Sequence, residues 1–286
     1  MHFSLTDPAF MLLQICTLEC DVSVKSPMPM LFLGHGSPMN ALESNRWTQQ
    51  WRLVTATLKP KAILLISAHW DKPGLRVLTD PHPRTIHDFG GFPPALFQQQ
   101  YPAPGSVALA GLLLELLADV GARPDSDWGF DHGAWVPYLH LFPNGGPPML
   151  QLSMPVEWSS QTAMKVGELL GEFARQHKAV VVGSGSLTHN FEDMDLRGAP
   201  QGQPTPPEYL TEFTEWVKAR LSTGDRQAIA QAEHKAPHFA RAHPDDDHYL
   251  PLPFALGAAG EGAMVEALPE EVRYKALSMQ SFAFTH

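Results

Sequence analysis

The chain has 286 residues, with 20 Lys plus Arg against 30 Asp plus Glu, a formal net charge of −10. This length accommodates one large α/β domain or two small ones, and 44% hydrophobic with 17% charged residues excludes a disordered chain. The acidic balance argues against nucleic-acid binding, which needs basic surface to displace phosphate counterions, and no apolar run approaches the roughly 20 residues of a membrane span.

Residues 1–27 lack the positive start of a signal peptide and hold only the short apolar stretch Ala9–Ile15. They read as a poorly packed extension, with the domain proper over 28–286. Cys16 and Cys20 are the only cysteines, which makes a disulfide framework an unlikely design and a reducing, cytoplasmic compartment the default expectation. Met28–Leu33 and Ala62–Ser67 then read as buried strands, because their apolar residues do not alternate with polar ones. Arg76–Thr79 is a weaker strand. Ser106 caps a helix over Val107–Val120, whose nearly all-apolar surface predicts deep burial or a subunit contact, and hence a homo-oligomer.

Met149–Ser153 is the next strand. Ser159 caps a helix in which Val166, Leu169, Leu170 and Phe173 recur at i, i+3, i+4, i+7. Ala179–Val182 is a strand, Pro207–Leu221 an amphipathic helix through Leu210, Phe213 and Val217, and Ala276–Phe284 a last strand. No repeat or composition break divides the chain. Strands alternating with helices predict a single three-layer α/β/α domain with a central, mostly parallel or mixed sheet.

Three of these strands are each followed by a histidine: His35 in Gly34-His35-Gly36-Ser37, His69 in Ala68-His69-Trp70, and His189 in Leu187-Thr188-His189-Asn190. Ligands of open α/β sheets bind beyond the carboxyl ends of the strands, so parallel neighbours would bring these rings together. Imidazole is the commonest protein metal ligand, and three with an open position make a catalytic metal site. His248 follows the acidic run Asp245–Asp247, whose carboxylates could orient imidazoles. His132 lies among aromatics in what reads as a loop, Trp128–Trp135. A lone histidine after a strand is ordinarily a hydrogen-bonded loop residue; the repetition at matching ends is what points to metal.

At these residues the sequence resembles the class III extradiol ring-cleavage dioxygenases, the family of protocatechuate 4,5-dioxygenase catalytic subunits, and within it the 4,5-DOPA dioxygenase branch. The strings carrying the resemblance are FLGHGSPM (32–39), SAHW (67–70), TIHDFGGFP (85–93), YPAPGS (101–106), WGFDHGAW (128–135), THN (188–190) and HPDDDHYLPL (243–252). The resemblance implies His35, His69 and His248 as metal ligands, with His189 beside the metal as a general base or a fourth ligand. It implies His132 as a further active-site histidine handling oxygen or substrate. The protocatechuate type uses two His and one Glu, the facial triad of non-haem Fe²⁺; here the third position is His248, a neutral ligand that suits Zn²⁺ as well as Fe²⁺.

The implied activity is opening of a DOPA-like catechol by O₂ to a muconic semialdehyde, with Fe²⁺ as the working metal because zinc is not redox-active. Trp70, Phe130 and Trp135 could wall an aromatic-sized pocket, although aromatics near a loop more often serve as core packing. Two other readings stand beside this one. The same histidines could activate water in a zinc hydrolase, although no single placed Glu supports that, or hold metal in a non-catalytic protein.

Overall fold

The structure, a computed structural model, describes residues 28–195, 205–245 and 247–286. The expected extension over 1–27, with both cysteines, lies outside the described residues, as does Asp246. Eight strands form one sheet: β1 (Met30–Gly34), β2 (Ala62–Lys72), β3 (Arg76–Leu78), β4 (Arg123–Asp125), β5 (Met149–Pro155), β6 (Ala179–Gly185), β7 (Met264–Ala267) and β10 (Phe282–Thr285). A small antiparallel pair, β8 (Val272–Arg273) with β9 (Leu277–Ser278), stands apart. The sheet order is β4-β3-β5-β2-β6-β1-β10-β7. Its centre, β5-β2-β6-β1, is parallel, while β10 runs antiparallel to β1 and β7, and β3 antiparallel to β5. The sheet is therefore mixed, with a parallel heart.

The apolar runs explain the layering. Side chains alternate faces along a strand, so a strand apolar at every position feeds two cores. Leu31, Leu33, Ile63, Leu65, Val180 and Val182 face one core, under α1 (Arg46–Thr55) and α4 (His132–Leu141). On the other face, Phe32, Leu64, Ile66, Leu150, Leu152 and Val181 meet α5 (Ser160–His177), α6 (Glu208–Ser222) and α10 (Pro251–Ala259). Four short helices, α2 (Pro94–Phe97), α7 (Arg226–Ile229), α8 (Ala232–Lys235) and α9 (Phe239–Ala242), lie in the connections, and α3 (Val107–Leu116) packs on the second core.

Several expectations need correction. The run Ala276–Phe284 is not one strand: it breaks between β9 and β10, where Gln280 turns its amide to the carbonyls of Leu268 and Ser281 at 2.8 and 2.7 Å. The helix capped by Ser106 is not deeply buried. Ala110 and Leu113 face inward, but Val107, Leu112, Leu116 and Val120 are exposed. His132 is not in a loop. It is the first residue of α4, which Asp131 caps by accepting from the Ala134 amide at 3.2 Å.

The carboxyl ends of β1, β2 and β6 share one rim. The ladder of β1 and β6 runs one residue past the strand, with the His35 amide donating to the Gly185 carbonyl at 3.0 Å. Pairing of β2 with β5 is irregular between Ile66 and Asp71, which places His69 where the ladder loosens. The turn ahead of α10 packs directly on β6, and only glycine at 185 admits it: a Cβ there would be driven into the His248 carbonyl. Gly185→Ala is expected to destabilise the fold by about 1–3 kcal/mol through overpacking. A thermal melt should show the midpoint falling by several degrees, whereas the same change at Gly111, where a Cβ meets nothing within 4 Å, should not lower it.

Candidate metal centre

The rim gathers five of the chain's histidines. His35 Nε2 and His69 Nε2 lie 3.0 Å apart, and one ring nitrogen each of His35, His69 and His248 lie within 4.8 Å of one another. The His132 ring lies over His69, with centroids 3.9 Å apart. The His189 ring stacks on His248 at 3.5 Å and an interplanar angle of 6°. His35, His132 and His248 are buried, and His69 and His189 partly so.

Hydrogen bonds on the far nitrogens fix which way His35, His132 and His248 present their lone pairs. The Ser184 hydroxyl donates to the Gly133 carbonyl, so its oxygen must accept from His35 Nδ1 at 3.0 Å. That leaves His35 Nε2 bare and aimed at His69. Asp247 Oδ1 accepts from His248 Nδ1 at 2.9 Å and from the His248 amide at 2.7 Å, so His248 also carries its proton on Nδ1. Asp88 Oδ2 accepts from His132 Nδ1 at 2.8 Å and lies 3.5 Å from His69 Nδ1, while its Oδ1 accepts from the His132 amide at 2.9 Å.

Burial dominates the electrostatics. Desolvation, followed by mutual repulsion among the rings, holds His35 and His69 well below the usual histidine range. Burial and then His248 lower His189 to about 3. All three are neutral at pH 7, the form that ligates metal or accepts a proton. Burial alone would raise the carboxyl groups of Asp88 and Asp247, but the hydrogen bonds from His132 and His248 outweigh it and hold both below the ordinary value.

The donor set fits a divalent cation. The neutral rings of His35 and His69 bring their Nε2 atoms to 3.0 Å, where a proton or an ion lies between them. Bonds of about 2.0–2.1 Å from one ion span that separation comfortably. The anchored far nitrogens are the usual support for metal-bound histidines.

Residues 28–285 match the family model described as the catalytic LigB subunit of aromatic ring-opening dioxygenase. The chain belongs to this family. Its relatives include a 4,5-DOPA dioxygenase extradiol of Escherichia coli K12, 39% identical over 264 residues, covering 89% of this chain and 93% of that one. Another of the same name from Beta vulgaris is 35% identical over 263 residues, covering 89% and 95%. The crystal structure of an uncharacterized Escherichia coli K12 protein superposes with a TM-score of 0.75 at 34% identity, covering 90% of this chain and 99% of that one. The chain is thus an extradiol ring-opening dioxygenase in type, and LigB-family enzymes use a metal ion.

Two site residues of this LigB-family chain escape a reading by sequence pattern. Asp88 sits in the connection between β3 and α2, and Ser184 between Gly183 and Gly185 at the end of β6. The expected aromatic wall is also displaced. Trp70, Phe130 and Trp135 are fully buried, and Trp70 stacks on Trp128 at 5.6 Å. Phe89 instead meets His132 edge-on at 5.7 Å and joins Phe92 and Phe97 in an aromatic cluster beside the histidines.

The buried neutral histidines set the acid stability of the metal-free protein. Their folded pKa values are lowered, so the unfolded chain binds more protons as pH drops below about 6.5. Asp88 and Asp247, also lowered, contribute stability present above their unfolded value near 4 and lost as pH falls through their folded values. Calorimetry of the chelator-treated protein should therefore show a flat midpoint from pH 8 to 7 and a decline already between pH 6.5 and 5. A midpoint unchanged down to pH 4.5 would contradict it.

Proposed function

We propose that this chain opens the ring of a catechol carrying a DOPA-like side chain, beside the diol and with O₂, to give a muconic semialdehyde. The observation that carries the reading is the approach of His35 Nε2 and His69 Nε2 to 3.0 Å, with His248 completing the cluster. The names of the relatives supply the substrate class.

His35, His69 and His248 would hold one divalent ion, and Fe²⁺ is the proposed working metal, with Zn²⁺ able to take the same neutral ligands. A bound ion of this kind would acidify a coordinated phenol and carry electron density from the diol to O₂. His189 takes the phenolic proton. Its ring is neutral, with a pKa of about 3, and its nitrogens have no hydrogen-bond partner among the described residues. So weak a base accepts a proton only from an acidified phenol and gives it up again readily.

His132 has its Nδ1 committed to Asp88, so Nε2 is the nitrogen it presents: an acceptor when the ring is neutral, a donor when protonated. It thereby holds a proton at one defined position beside His69. The aromatic cluster of Phe89, Phe92 and Phe97 supplies apolar surface next to these rings. The catalytic unit in this reading is residues 28–286, acting in the cytoplasm.

The test is anaerobic loading with Fe²⁺ followed by L-DOPA and oxygen. A yellow product with oxygen uptake is expected, and neither with His35→Ala or His69→Ala. His189→Ala should retain metal and lose about 10²–10⁴-fold in turnover, the usual worth of a general base. Full activity in that variant would sink the base assignment. Ester or amide hydrolysis with Zn²⁺ and no oxygen uptake would replace the reading with a hydrolase.

A further inference from the structure

The segment leaving β6 and the segment entering α10 are laced together, with four hydrogen bonds between residues 186–190 and 241–248. The Ser186 amide donates to the His248 carbonyl at 2.9 Å, and the His189 amide to the Ala242 carbonyl at 2.9 Å. Asn190 Nδ2 donates to the Arg241 carbonyl at 2.8 Å. The fourth is made by a buried side chain, His243, whose Nε2 donates to the Leu187 carbonyl at 2.9 Å.

The environment of His243 is otherwise apolar. Phe213, Phe239 and Tyr249 enclose the ring at centroid distances of 5.6, 5.5 and 5.4 Å. Because Nε2 faces a carbonyl it carries the proton, so Nδ1 is a bare acceptor, and it is buried with no partner. A buried acceptor without a partner is a cost that Leu or Phe in the same cage would not incur. What the imidazole offers in exchange is its single N–H, delivered to the carbonyl two residues ahead of His189.

We propose that His243 is a positioning residue: through its bond to the Leu187 carbonyl it locks the segment of His189 against the segment of His248 and so sets the parallel stack of those two rings. Its consequence for metal rests on the reading of His248 as a ligand. Without the bond, the ends of the two segments can slide, and the rings lose the separation of 3.5 Å that holds base and ligand side by side.

The comparison of His243→Leu with His243→Gln tests this, because Gln keeps an N–H at similar reach while Leu keeps only the volume. Each is loaded with Co²⁺ and followed by visible absorption and chelator competition, then melted, and assayed with Fe²⁺ and L-DOPA. His243→Leu should melt no lower than about the wild type, yet bind Co²⁺ about tenfold more weakly with an altered spectrum, and lose about tenfold in kcat. His243→Gln should recover most of all three. Should the Leu variant fail to fold, His243→Asn takes its place, since its shorter amide cannot reach Leu187.

Wild-type spectrum, affinity and kcat in His243→Leu would overturn the proposal. Equal impairment of the Leu and Gln variants would do so too, since ring volume rather than the donor would then matter. Failure of the metal reading looks different: wild type and His248→Ala would bind Co²⁺ alike, and the role of His243 would be judged on kcat alone.

Discussion

The site depends on imidazoles whose tautomers are decided on the side facing away from it. A histidine delivered to a sheet rim can present either nitrogen, and only one choice leaves a lone pair where it is wanted. Ser184 decides it for His35 because its own hydrogen is already given to Gly133, leaving only an acceptor. Asp247 and Asp88 decide it for His248 and His132 because a carboxylate can only accept. These partners come from β6, from the turn before α10 and from the loop ahead of α2, so the chemistry at the rim is specified by three separate stretches of backbone.

The sheet makes that specification possible. Parallel β2, β6 and β1 end on the same side; His35 and His189 follow β1 and β6, and His69 lies near the carboxyl end of β2 itself. Tight backbone approach does the rest: the α10 turn lies against Gly185, and the start of α4 lies against His69, where a Cβ on Gly133 would also strike Ser67. The burial that keeps the rings neutral follows from the same closeness, since little water remains between elements that touch through glycine.

Much of this was legible in the sequence, and the exceptions have physical causes. Non-alternating apolar runs announced the central strands, and the histidines after them announced the rim. The start of helix α4, up to Trp135, reads as a loop because the helix is buried on every side, with nine of its ten residues inaccessible, and so shows no amphipathic period. For helix α3 a nearly all-apolar composition pointed to deep burial or a subunit contact, and its exposed outer face excludes the first. Asp88 was illegible because its place is set by tertiary contact: the Ile86 amide donates to Phe130 at 2.7 Å, which docks the loop beside α4. Trp70 and Trp135, open between pocket wall and core in the sequence, are core.

Strand β1, near the start of the described chain, is flanked in the sheet by β6 and by β10, the last strand of all. On a ribosome, therefore, the nascent strand that leads to His35 must wait for both neighbours, and for His248, to emerge. Pairings so distant in sequence are slow to form and leave apolar edges uncovered meanwhile. The histidine cluster thus depends on pairings between strands drawn from the two ends of the described residues.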